Sequence, residues 1–95
     1  MYMDKYYKIT KYSLDKAKEL GVKIKPSMKA KYKIDVYDDE DNYITSIGSR
    51  QYKDYGQYLE NNGKEYADYR RFLFYKRHGK YPKYSRGWYS SKILW

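Results

Sequence analysis

The 95-residue sequence has no cysteine, which excludes disulfide frameworks, thiolate nucleophiles and every cysteine-based zinc site. That fits a reducing compartment. No apolar run approaches the roughly 18–20 residues that span a bilayer, so no membrane span is expected. The opening MYMDKYYKIT carries charge but not the apolar stretch of a secretory signal, and the protein is not expected to be secreted. Aliphatic side chains are scarce, with Ile, Leu and Val numbering thirteen together. A chain of this length is one domain, residues 1–95, able to bury one modest core but not a deep enclosed active site as well. Phosphate-loop and dinucleotide fingerprints are both absent.

Rings and positive charge fill the space left by the aliphatics. Sixteen tyrosines must do much of the packing, each burying about 150–250 Å² while its hydroxyl reaches water or a partner. The formal net charge is +9. Residues 1–62 carry a net of only +2, whereas 63–95 hold nine basic and two acidic side chains, a net of +7. Concentrated positive charge attracts polyanions, nucleic acid being the commonest.

Elements can be placed along the chain. Residues 1–12 alternate weakly and suit a short strand or a flexible arm. SLDKAKELG, residues 13–21, reads as a short helix over 13–20, with Ser13 as N-cap, Gly21 at the C-terminal cap, and Leu14, Ala17 and Leu20 as an apolar stripe. Pro26 forbids a helix there and biases Lys25 to an extended conformation. In KAKYKIDVY, residues 29–37, Ala30, Tyr32, Ile34 and Val36 point one way, and Lys29, Lys31, Lys33 and Asp35 the other. DDEDN is a polar turn, and YITSIGS, residues 43–49, returns as a second strand of an antiparallel hairpin. Residues 52–64 lack a regular pattern. Asn62 with Glu65 resembles a capping box, and a helix follows over about 63–78, ended by Gly79. Tyr66, Tyr69, Leu73 and Phe74 share its apolar arc, with Phe72 at the flank. SRGWYSSKILW suits a last helical turn or a short strand. The expectation is an α+β domain: a small antiparallel hairpin or sheet packed against the C-terminal helix and the closing Trp segment.

Single candidate sites are weak. His78, the lone histidine, sits at a helix C-terminus, where partial positive charge is favourable; capping or phosphate contact explains it better than catalysis. An EF-hand loop starting at Asp39 would need Gly at its sixth position and Glu at its twelfth, where the chain has Ile44 and Arg50. A one- or two-carboxylate magnesium site needs fewer ligands, but a solvated hairpin tip accounts for the acidic run. No metal or cofactor is expected.

The basic-aromatic C-terminal third points to nucleic acid. Lys and Arg neutralise phosphates and release counterions, and ring faces stack on unpaired bases. The expected phosphate contacts are Arg70, Arg71, Lys76, Arg77, Lys80, Lys83 and Arg86, sharing one face. Tyr84, Trp88 and Tyr89 are the expected stacking rings, although Trp88 and Trp95 equally suit the core. Helical spacing marks Tyr69, Phe72 and Leu73 as packing. The expected activity is non-enzymatic; a nuclease would need converging carboxylates beside a basic groove.

The order of these pieces is itself informative. Lys-x-Lys-Pro-Ser (23–27) precedes a Lys/Tyr-rich strand; Ile-Gly-Ser (47–49) and Tyr-Lys-Asp-Tyr (52–55) follow. Arg-Arg-x5-Arg-His (70–78) and Gly-Trp-Tyr-Ser-x3-Leu-Trp (87–95) complete the set. Over about residues 22–95 this resembles a small basic uncharacterised protein family of nucleocytoplasmic large DNA viruses, including giant viruses. The chain departs from that pattern in having Ile47-Gly48 where Phe-Gly is expected, and in its longer acidic turn. The resemblance implies a viral protein in the virion or the infected host cell cytoplasm or nucleus. It also admits a second role, that of a minor structural protein docking on capsid or core proteins.

Overall fold

The computed structural model describes residues 6–95. Its elements run α1 (Lys11–Leu20), β1 (Lys23–Pro26), β2 (Tyr32–Tyr37), β3 (Tyr43–Ser49), α2 (Tyr55–Asn62), α3 (Lys64–His78) and α4 (Arg86–Ile93). The three strands form an antiparallel sheet in the order β1-β2-β3. The fold is α+β, as expected, with the hairpin at the expected place.

The alternation of β2 sends Ile34 and Val36 inward, where they meet Ile47 of β3 and Tyr89, Ile93 and Leu94 from the C-terminal segment. The five aliphatics of this cluster are at most 1% exposed. Removing such side chains from water is the main stabilising contribution in a small domain. The C-terminal helix lying on the sheet is α4, which Ser85 caps by accepting from Trp88 N. The longer α3 forms where expected but packs on α2, and reaches the rest of the core through Phe74 stacked on Trp95 (4.5 Å, 9° between planes).

Several local expectations change. Thr10, not Ser13, caps α1; Ser13 is buried one turn in and donates Oγ–H to Ile93 O at 2.9 Å. That bond ties α1 to α4, and it leaves Leu14 half exposed on the outer side. Of the arm expected over 1–12, residues 1–5 lie outside the described residues. The remainder is docked, with Tyr7 and Ile9 packed on the core and Thr10 buried. The segment before Pro26 is a third strand, β1, on an edge of the sheet, the position where a proline missing its N–H is tolerated.

Residues 55–62, expected to be irregular, form α2. Asp54 and Gln57 build its capping box: Asp54 accepts from Gln57 N (2.9 Å) and Gln57 Oε1 accepts from Asp54 N (3.0 Å). The box expected at Asn62–Glu65 does not form, because Asn62 ends α2 and Gly63 alone separates it from α3. At φ +88°, Gly63 occupies a conformation that glycine adopts without steric cost. It lets one helix follow another at an angle.

Lys33 also departs from its expected outward face. It is 3% exposed and donates to Asp54 Oδ2 (2.9 Å) and Gln57 Oε1 (3.0 Å). Tyr7 O–H donates to the same Asp54 oxygen at 2.5 Å. Sheet, α2 and N-terminal segment therefore meet at one buried carboxylate. Burial lowers the Lys33 pKa, opposed by the Asp54 charge; burial first, then Asp54, pushes the Tyr7 hydroxyl far above its ordinary value.

Candidate nucleic-acid interface

Between α3 and the sheet lies an open groove of about 950 Å³. One wall comes from α3, where Arg70, Phe74 and Arg77 recur at helical spacing and face the same way, joined by Tyr58 of α2. The opposite wall is Tyr32 and Lys33 of β2, with Arg86 and Gly87 opening α4. Leu94 and Trp95 line it from the C-terminal end, and the turn 50–54 supplies Arg50, Tyr52 and Lys53.

The charge on this surface is one-sided. Seven Lys and Arg residues line it (31, 33, 50, 53, 70, 77 and 86) against one acidic side chain, Asp54. Asp54 is already engaged by Lys33. Arg50 serves the fold, donating Nε–H to Tyr32 O and Nη2–H to Ser27 O at 2.8 and 2.9 Å. Lys31, Lys53, Arg70, Arg77 and Arg86 form no ion pair with a carboxylate among the described residues. Cations gathered in a concave surface focus the field and raise the local concentration of anions.

Rings hold the groove in shape. His78 stacks on Phe74 (4.4 Å, 29°), continuing the Trp95–Phe74 stack, and its Nδ1 lies 2.8 Å from the Tyr81 hydroxyl. The Tyr81 ring in turn lies against Gly87 so closely that a Cβ there would overlap it. The loop after α3 is thereby fastened to α4. On each wall an arginine rests on a tyrosine of the same wall, Arg70 5.1 Å from the Tyr58 centroid and Arg86 4.9 Å from that of Tyr32.

The ten residues expected to contact nucleic acid divide. Arg70, Arg77 and Arg86 line the groove. Arg71 lies on the other side of α3, 4.1 Å from the Tyr55 centroid, 3.4 Å from Asp68 and within reach of the Tyr12 hydroxyl. It is an internal tie. Lys76, Lys80 and Lys83 are exposed outside the groove, so the seven cations do not share one face. Tyr84 is 63% exposed with its ring near Trp88 and Tyr89. Tyr89 is buried in the core and has no face left for a base, and Trp88 packs half-buried against the same cluster. Tyr69 and Phe72, expected to pack, are 55% and 62% exposed. The peripheral α3 buries only Ala67 fully, and so cannot cover a wide arc.

Nothing in the sequence singles out Lys31, Lys53, Tyr32, Tyr52 and Tyr58 for this surface. Their part of the chain is nearly neutral overall, and only the tertiary fold, which sets the sheet across the groove from α3, brings them to the same surface as Arg70 and Arg77. The acidic turn is spent internally: Asp38 Oδ1 accepts from Glu40 N and Asn42 N, both at 2.9 Å. The bonds from Asn42 hold its carboxyl below the usual range.

The chain matches no protein-family model, no curated protein and no solved structure. No helix among the described residues is long and apolar enough to cross a membrane.

Proposed function

We propose that the protein is a non-enzymatic nucleic-acid-binding protein that holds the phosphate backbone, without reading base sequence, in the groove between α3 and the sheet. The observation that carries this reading is the groove's five cations with no carboxylate partner among the described residues, Lys31, Lys53, Arg70, Arg77 and Arg86, interleaved with rings. Cations supply the sequence-independent part of such binding, and aromatic faces add stacking of about 1–3 kcal/mol per base where bases are unpaired. Arg70, Arg77 and Arg86 carry over from the basic C-terminal third, and Lys31 and Lys53 join them.

The test is a titration of DNA and RNA oligomers across salt concentration. Binding whose logarithm falls linearly and steeply with the logarithm of salt supports the proposal. Absence of binding at low salt contradicts it.

A second reading, docking on another protein such as a capsid or core component, is favoured by a different surface. Tyr66, Tyr69 and Phe72 are exposed along α3 and none of them lines the groove. Copies bound in a symmetric shell would support that role.

A further inference from the structure

Arg70 has an unmet requirement. Its Nε–H is closed off from solvent and has no acceptor among the described residues, whereas buried donors in folded proteins nearly always have one. The guanidinium lies on Tyr58, and across the groove Arg86 lies on Tyr32. Two cations and two ring faces are thus occupied with each other. A guanidinium turned off its ring presents two parallel N–H groups to a phosphate, a geometry that lysine lacks. The ring face it leaves is then open to a base.

The dimensions limit what can enter. About 950 Å³ is at the top of the range for small-ligand sites, about 300–1,000 Å³. A duplex lying along the mouth keeps its bases paired and stacked on one another, so none is free to lie on Tyr58 or Tyr32. A single strand brings phosphates and unstacked bases in together.

We infer that the groove selects single-stranded nucleic acid by an exchange of partners: phosphates draw Arg70 and Arg86 off Tyr58 and Tyr32, and bases take the vacated ring faces. This rests on the nucleic-acid reading above and adds the strand class and the residues that choose it. Arg70 supplies the side-on fork, and its Nε–H gains the acceptor that the described residues do not give it.

The experiment is a fluorescence-anisotropy comparison of a labelled oligothymidylate of about 12 nucleotides, within the usual span of single-strand sites, with the same strand annealed to oligoadenylate. Wild-type protein is expected to bind the single strand about tenfold or more tightly than the duplex. Arg70→Lys, which keeps the charge but loses the fork, is expected to weaken single-strand binding about tenfold. The double variant Tyr32→Leu/Tyr58→Leu should bring single-strand affinity down to the duplex level. Circular dichroism checks that each variant is folded, and the wild-type comparison needs no variant. Equal, salt-steep binding of both forms would overturn the single-strand inference and leave the nucleic-acid reading standing. Binding of neither would overturn both. Unchanged single-strand affinity in Arg70→Lys would overturn the exchange.

Discussion

The molecule has two unlike halves. Where the sheet meets α4, aliphatic side chains close against one another, and Ile34, Val36, Ile47 and Ile93 are fully buried. Where α3 meets α2, contacts are between rings and arginines, only Ala67 of α3 is fully buried, and four of its large rings are more than two-fifths exposed. Positive charge follows the same division. Lys33 is closed in with Asp54 at 2.9 Å, while Arg70 and Arg77 line the groove with no carboxylate partner among the described residues. The first half holds the fold and the second offers a surface, with the groove at their seam.

Breaking the closed half should cost most. Asp54→Ala strands Lys33 in the interior and removes the cap of α2. A loss of about 3–5 kcal/mol is expected in a urea melt, with no folded baseline at 37 °C if total stability is low in the usual range. Ile47→Ala, a core deletion, should cost about 2–5 kcal/mol by the same measurement. Phe72→Ser on α3 should change stability by no more than about 0.5 kcal/mol and leave nucleic-acid binding as it was. A comparable loss from Phe72→Ser would show that α3 packs as a core helix.

Alkaline pH tests both halves through tyrosine hydroxyls that donate within the fold, Tyr7 to Asp54, Tyr55 to Asp68 and Tyr75 to Ser91 O. Burial raises Tyr7, Tyr55 and Tyr75, helped at Tyr7 by the Asp54 charge and at Tyr55 by the bond to Asp68. Unfolded tyrosines ionise near pH 10, so above that value the folded protein keeps protons that the unfolded chain releases. Stability therefore falls as pH rises through about 10. Lys33 has the opposite sign: its folded value is lowered, so its contribution rises with pH until the unfolded lysine titrates near 10.4. The melting temperature should hold or rise slightly up to about pH 10 and then drop, with a shallower drop in Tyr7→Phe. A drop of unchanged steepness in that variant would remove Tyr7 from the account.

What is legible in the sequence follows this division. The period-two pattern around Ile34 and Val36, the acidic turn and the return strand all show, because local spacing and core burial agree there. The helix over 64–78 is legible as a helix, yet its buried side is not. Tyrosine serves core and surface alike, so the spacing of Tyr69 and Phe72 does not separate burial from exposure. The strand β1 is only four residues long, and the capping box of α2 at Asp54–Gln57 is less conspicuous than the Asn-Asn-Gly that follows it. Charge composition draws attention to residues 63–95, but a groove is a tertiary object. Beside Arg86 and Gly87, its second wall draws on Lys31, Tyr32 and Lys53, in the part of the chain with almost no net charge.

That wall supplies the most direct test. Lys31→Ala/Lys53→Ala removes two groove cations from the near-neutral part of the chain, and Lys76→Ala/Lys80→Ala removes two exposed cations of the basic third that lie outside the groove. Both lose the same charge. In a salt titration with an oligonucleotide, the first variant should bind more weakly, with a salt slope reduced by about 2, roughly one per lost phosphate contact; the second should keep nearly the wild-type slope. A flattened slope in Lys76→Ala/Lys80→Ala, with Lys31→Ala/Lys53→Ala unchanged, would contradict the groove as the binding surface.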